Sequence, residues 1–503
     1  LSFATQPAGA PAGATIAPAI RVSILDAQGN LVTTASNIVE LSFQANPGNG
    51  ALEGATSVAA IAGLATFSAL SINLPANGYS ITAASTGLNS AYSSAFSISA
   101  PLPVEQAAQA DAFVDSIGIG THLSYNDTPY FSAWPQVLNA LTTLGVRHIR
   151  DGFWNWDSSS PYISEHEALA DAGIKCTYVV PINSTGVPES IEQFSPEVKD
   201  MEALEAPNEC DVPGNCGQDT LTGIDNMLNF LPSIDAAATN LGIPVVGPSF
   251  TQQSSYVISG NISSEMTTNN LHVYFGGRNP GSAGWGDFDP QGNSYGSFPW
   301  WLDQVNVDAP GLPTEVTETG FIAYPTTATP YTLPESVEAS YTPRTLLSAF
   351  QLGIKHTYIY ELLDEVSSPG YGILRSDLSP KPAYTAIENL ISNLQDKGPS
   401  FSPSQLAYSI AGGGPNLSHL LLQKRDGSFW LILWLEVPSY DPASNQPIQI
   451  TPQQITLTLA DPDARQVLQW DTSGNVSRAN AIMQGYTLAL TVSDQISIVK
   501  IVP

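Results

Sequence analysis

MEALEAPNECD (residues 201–211) and PTEVTETGF (313–321) are two short runs that begin like strands and close on acids. The first reaches Asn208-Glu209, with Glu205 four positions earlier. The second reaches Glu318-Thr319-Gly320, with Glu315 three positions before Glu318. Outward from them, residues 105–397 alternate strand-like and helix-like segments. Six further strands are predicted at SIGIGTHL (116–123), VRHIRDG (146–152), IKCTYVVPI (174–182), PVVGPSF (244–250), LHVYFGG (271–277) and KHTYIYELL (355–363). Helical patterns such as FSAWPQVLNALTTLG (131–145) and TGIDNMLNFLPSIDAAATNLG (222–242) fall between most of them, and AYTAIENLISNLQ (383–395) ends the series. Eight such units predict a parallel (β/α)8 TIM barrel.

The flanks read as β. In residues 1–100, IRVSILD, VELSFQ, ATFSALSI, YSITAAS and AFSISA alternate apolar and polar residues between turn clusters such as AQGN and NPGNG. About seven short strands predict an immunoglobulin-like β-sandwich. DAQGN, GLATFSALSI and GYSITAAS resemble bacterial immunoglobulin-like modules of exported proteins. A spacer or wall-proximal role is expected there, with carbohydrate binding as the sharper alternative. APLPVEQ (100–106) reads as a linker. From 398 to 503 the β pattern returns, with HLLLQKRDGSFWLILWLE (419–436) a hairpin turning at Asp426-Gly427, and predicts a C-terminal β-sandwich. Trp430 and Trp434 alternate there with Leu and Ile, as core or interface residues would.

With 503 residues the chain is long enough for two or three domains. Its 45 acids against 16 Lys+Arg give a formal charge of −29, spread along the chain as a solvated acidic surface. That field disfavours nucleic acid and anionic membranes as partners. No apolar run is long enough for a membrane span. The opening LSFATQPAGAPAGA has neither the basic nor the apolar region of a signal peptide, which fits a chain already processed. Scarce Lys, abundant Ser, Thr, Asn, Gly and Pro, and few Cys point to a secreted or cell-surface protein. Cys210 and Cys216, six apart around Pro and Gly, are then expected as a small disulfide loop, and Cys176 as a buried strand thiol.

A barrel of this kind carries its chemistry at the C-terminal ends of its strands. Those ends hold Glu205, Asn208 and Glu209 on strand four, Glu315 and Glu318 on strand seven, and Arg150 and Asp151 on strand two. His122 belongs to strand one, His272 and Tyr274 to strand six, and Tyr360 and Glu361 to strand eight. Strands four and seven face each other across the mouth. A carboxyl from each can therefore flank one bond, as cleavage of a glycosidic linkage requires.

In this order Asn208-Glu209, Thr317-Glu318-Thr319-Gly320, His272-Val273-Tyr274, Arg150 and YGILRSDLSPKPAYTAIENL (371–390) resemble glycoside hydrolase clan A, the superfamily of many retaining β-glycosidases. The resemblance implies Glu209 as general acid/base, Glu318 as nucleophile, Asn208 on the sugar hydroxyl beside the anomeric carbon, and Tyr274 and Arg150 on Glu318. Glu205 is expected to pair with Arg150 deeper in the barrel. Pro207, where several relatives carry Trp, and Tyr360-Glu361, where many place Trp, set the chain apart and bear on substrate class.

Sugar contacts are further expected from His122, His272, Trp154, Trp156, Tyr360 and Glu361, and Trp285, Trp300 and Trp301 lie in the long segment after strand six. Glu315 is the rival nucleophile. No cofactor or metal is expected, because no close His pair or phosphate-cradling glycine motif accompanies the strand ends. A carbohydrate, including extracellular or cell-wall polysaccharide, is the expected partner, and the chain is expected as a monomer. The long segment after strand six favours exo action. A non-catalytic carbohydrate-binding protein and a transglycosylase are the alternatives. For an acidic sugar, Arg150, Arg278 and Arg375 are the few cations near strand ends.

Overall fold

The computed structural model describes residues 1–153, 161–182, 191, 198–281, 288–326, 331–460, 464–471, 473–478, 483–484 and 486–502. Its centre is an eight-stranded parallel sheet. We number the strands β1 (Ile117–Gly120), β2 (His148–Gly152), β3 (Lys175–Val179), β4 (Met201–Glu205), β5 (Val245–Val246), β6 (Asn269–His272), β7 (Thr314–Thr319) and β8 (Thr357–Ile359). They pair in sequence order, β8 against β1, and a parallel bridge from Val246 to Thr268 closes the ring between β5 and β6. Every residue of β1, β6, β7 and β8 is buried, as expected of strands covered on both faces.

Packing inside the ring needs room at one glycine. A Cβ on Gly118 would lie 2.3 Å from the Tyr358 ring, whose hydroxyl crosses the barrel to Thr177 Oγ1 at 3.0 Å. The helices follow their end signals. Asp219 caps Thr220–Leu241 by accepting from the Thr222 N–H, and Gly242 ends it at φ 68°. Pro382 opens the last helix, Pro382–Leu394, which packs on Trp134–Leu144 and Glu335–Gln351 and completes the outer ring. Among the described residues no helix is long and apolar enough to cross a membrane.

Before the barrel, residues 2–99 form a three-stranded and a six-stranded sheet around a core that includes Val22, Val39, Phe67, Tyr79, Ile81 and Phe96. After it, two sheets of five and six strands make a second sandwich. Its strand Phe429–Leu435 is buried on both faces. Phe429, Leu431, Leu433 and Leu435 enter the sandwich core, while Trp430, Ile432 and Trp434 join the barrel core, so the period-two alternation of the strand welds the two units.

One expectation is corrected. The segment read as a linker is a structural part of the C-terminal sandwich: Val104–Gln106 pairs antiparallel with Gln405–Ala407, and Ala108–Gln109 pairs with Leu422–Gln423. Its two prolines, Pro101 and Pro103, precede the paired residues, so the ladder loses no donor to them.

Candidate active site

The turn after β4 is fixed by its own polar groups. Cys210 and Cys216 are disulfide-bonded. The buried Asp211 carboxylate accepts the backbone N–H groups of Thr251 and Gln252 and the Ser255 hydroxyl. Glu209 holds a left-handed backbone, φ 43°, sparsely allowed for such a residue, and its side chain turns to the mouth. After β7, Gly320 is required by close approach: a Cβ there would meet the Tyr360 carbonyl oxygen at 2.2 Å. The glycine of Thr-Glu-Thr-Gly thus lets the backbone after β8 close against β7.

Arg150, on β2, is the hub. Its Nε and Nη2 donate to the two oxygens of Glu205 at 2.8 Å each, Nη2 also to Asn208 Oδ1 at 2.7 Å, and Nη1 to Glu318 Oε1 at 2.6 Å. Tyr274 donates its hydroxyl to Glu318 Oε2 at 2.7 Å. Burial alone would raise the Glu318 pKa. The charges of His272 and Arg150 and the hydrogen bonds from Tyr274 and Arg150 outweigh it and bring the value down to about 2. Because Asn208 Oδ1 is taken by Arg150, its amide N–H groups are left for the cavity, which Asn208 lines.

His272 stands between the two facing carboxylates, with Nδ1 2.8 Å from Glu209 Oε1 and 3.6 Å from Glu318 Oε2. Carboxylate oxygens of Glu209 and Glu318 lie within 4.8 Å of one another. The other ring nitrogen, Nε2, lies 3.1 Å from the Thr317 hydroxyl. That hydroxyl donates to Asn270 Oδ1 or Glu205 Oε1, so Nε2 is its donor, and Nδ1 is left to face Glu209.

A second imidazole lies beside the first site. His122 Nδ1 is 3.0 Å from Glu361 Oε2 and 3.2 Å from Glu365 Oε2, and its ring stacks on Tyr125 at 4.5 Å. Burial opposes its charge, but the two carboxylates overcome this and raise its pKa to about 10. A cavity of about 500 Å³ opens over these groups, lined by His122, Tyr125, Arg150, Asn208, Glu318 and Tyr360 among others. The arrangement sets one ionised carboxylate, Glu318, opposite a second, Glu209, that is hydrogen-bonded to an imidazole.

A solved structure shares this fold without sharing much sequence, and others are similar at lower scores. A family 39 glycoside hydrolase from the gut symbiont Bacteroides cellulosilyticus WH2 is 15% identical, with 99% of this chain and 100% of that chain covered and a TM-score of 0.51. The fold is the same. The catalytic domain of GH30 xylanase C from Talaromyces cellulolyticus is 12% identical, over 80% of this chain and 99% of that one, at a TM-score of 0.49. Faecalibacterium prausnitzii β-glucuronidase is 11% identical, over 77% and 65% of the two chains, at 0.39. No family model and no curated protein matches the sequence. The parallel barrel read from the alternation of strands and helices is the fold this likeness shows.

The structure brings Glu209, Glu318, Asn208, Tyr274, His272, Arg150, His122 and Tyr360 together. Glu361 is a correction: expected on the sugar, it is fully buried behind His122 and accepts from the Ser368 hydroxyl. Glu315 is no rival to Glu318. It points to the opposite end of β7 and pairs with Lys355 at 2.7 Å and His356 at 3.2 Å. Trp300 and Trp301 are buried in the helix Phe298–Val305 and pack on Tyr295 and Tyr256. Trp154, Trp156 and Trp285 lie outside the described residues. Glu365, Tyr125 and Asn270 were missed, and Thr317 was read only as part of its motif, without its contact to His272. The adjacency of the first and last strands in any closed barrel was the available signal for Glu365, since it places ELLDE beside GTH.

Proposed function

We propose that this protein is a retaining β-glycosidase with Glu318 as nucleophile and Glu209 as acid/base. The observation that carries the reading is the separation of less than 4.8 Å between carboxylate oxygens from β7 and the β4 turn. Retaining enzymes hold the pair about 5–5.5 Å apart, whereas inverting enzymes leave about 6.5–9.5 Å for a water. In the first step Glu318 attacks the anomeric carbon while Glu209 gives its proton to the leaving oxygen, and a glycosyl ester replaces the glycosidic bond. In the second, Glu209 takes a proton from water, whose oxygen displaces the Glu318 carboxylate. His272, hydrogen-bonded to Glu209, keeps that carboxyl in place through both steps. Arg150 and Tyr274 keep Glu318 ionised and aimed, and Asn208 donates to the hydroxyl next to the reacting carbon.

The disulfide and the scarcity of Lys support a secreted or cell-surface location. We read the N-terminal sandwich as an immunoglobulin-like spacer and the chain as a monomer acting on extracellular carbohydrate. The test is hydrolysis of a panel of aryl β-glycosides by wild type and by Glu318→Ala with azide. Loss of turnover and appearance of the inverted glycosyl azide are expected. Unchanged turnover in the variant overturns the assignment.

A further inference from the structure

Among the described residues, each cation that lines the catalytic cavity is held between two carboxylates. Arg150 lies between Glu205 and Glu318, and His122 between Glu361 and Glu365. We propose that the glycone this site accepts carries no negative charge, so that neutral hexosides or pentosides are substrates and uronides and sulfated sugars are refused. The inference rests on the glycosidase reading above and adds the class of sugar.

The charge count around the reacting carbon is one-sided. Four of the five Arg150 N–H groups already go to Glu205, Glu318 and Asn208. The catalytic cavity has Asp151 and Glu318 on its wall beside those two cations. The adjoining cavity, which shares Ser124 and Tyr125 with it, has Asp127, Asp364 and Glu365 as its charged lining residues. The cavity beyond Tyr274 is lined by aromatic, aliphatic and glycine residues alone. A uronate carboxylate would enter a site already in negative excess, and burial would weaken the solvent that could screen it.

The cations that could reverse this are committed elsewhere. Arg375 pairs with Glu335 and bonds the Pro380 carbonyl. Arg278 lines a different cavity beside Asp441, its guanidinium 5.9 Å from the Tyr331 ring centre. Lys381 is buried and donates to Asp364 and to the Ala323 and Gly370 carbonyls. Sequence closes the remaining gap. Residues 154–160, 183–190, 192–197, 282–287 and 327–330 contain Asp157, Glu189, Glu192, Glu197 and Asp287 and no Lys, Arg or His. What the cavity does offer is neutral polarity suited to hydroxyls, from Ser124, Tyr125, Asn208, Asn215 and Tyr360.

The test compares substrates that differ only at C6: aryl β-glucoside with β-glucuronide, and β-galactoside with β-galacturonide. It is paired with labelling by a cyclophellitol-type epoxide and its C6-carboxylate counterpart, the adduct being mapped by mass spectrometry. The neutral member of each pair is expected to lead in kcat/KM by at least about 100-fold, and the neutral epoxide to label Glu318. A uronide hydrolysed as well as its partner, or Glu318 labelled as fast by the acidic epoxide, overturns this inference and leaves the glycosidase reading standing. If no substrate is cleaved and neither epoxide reaches Glu318, the glycosidase reading falls, and this inference with it.

Discussion

His272 lies between Glu209 and Glu318, and His122 lies between Glu361 and Glu365, so the two imidazoles share a ligand set and differ in surroundings. The Glu209 and Glu318 side chains are 22% and 11% exposed, while Glu361 and Glu365 are 0% and 1%. Around His272 the load is spread: Arg150 and Tyr274 bind Glu318, and Thr317 binds the far ring nitrogen. Around His122 the two carboxylates have the imidazole and the hydroxyls of Ser367 and Ser368. Access and redundancy, rather than residue type, separate a cluster able to change charge during a reaction from one that holds a fixed ion.

Matched substitutions put that contrast at risk. Glu318→Gln should lower kcat by about 10⁴-fold or more, because no other carboxylate can reach the anomeric carbon. Glu361→Gln, in the corresponding place beside His122, should cost kcat no more than about tenfold and act mainly on stability. Steady-state kinetics with parallel urea unfolding separates the two. Comparable kcat losses would abolish the distinction drawn between the clusters.

Arg150→Met is next in size, with a fall of about 10²–10³-fold in kcat from the lost charge and hydrogen bonds. It also carries a signature that simple misfolding would not give. Glu318 loses one of the causes that bring its pKa to about 2, so the acid limb of kcat/KM should move up toward the ordinary value of 4.5. An acid limb that stays in place would mean that His272 and Tyr274 suffice.

The barrel was legible because its signals are local: strand runs of buried residues, helix caps such as Asp219, and acids at strand ends. The Asn208-Glu209 and Thr317-Glu318 pairs could be placed opposite each other from strand count alone. Long-range pairings left no comparable trace. Val104–Gln106 finds its partner about three hundred residues away, and two nearby prolines suggested a linker. Glu361 sits at a strand end like the others, and only the packing of Ser368 and His122 over it shows that it is enclosed. The fixed Asn208 amide likewise depends on Arg150 taking its oxygen.

Stability against pH tests both clusters at once, with smaller effects. Glu318 is depressed from 4.5 to about 2, so its contribution is present above 4.5 and lost as pH falls toward 2. His122 is raised from 6.5 to about 10 and His148 to about 9, so their contributions are present below 6.5 and lost as pH rises through those values. Burial raises Glu165 and Asp308 to about 7, which removes stability between the ordinary carboxylate range and 7. The thermal midpoint should therefore peak near about pH 4.5 and decline on both sides. A maximum at neutral pH or above would show that the acid-side and alkaline-side groups are not the ones named.

The smallest effect isolates His122. Glu365→Gln keeps the shape of the side chain and removes one of the two carboxylates that hold the imidazolium. The His122 pKa should then drop from about 10 toward 6.5, with Glu361 still present to hold part of the shift. The alkaline decline in the thermal midpoint should begin at lower pH than in wild type, while the acid side, governed by Glu318, should not move. Because Tyr125 stacks on the ring and Tyr130 and Tyr360 meet it edge-on, the imidazole should keep its place as its charge weakens. An NMR titration of the His122 ring in both proteins reads the shift directly. Equal titration in the two would leave Glu361 as the sole counter-ion that matters, and would reduce the second cluster to a single ion pair.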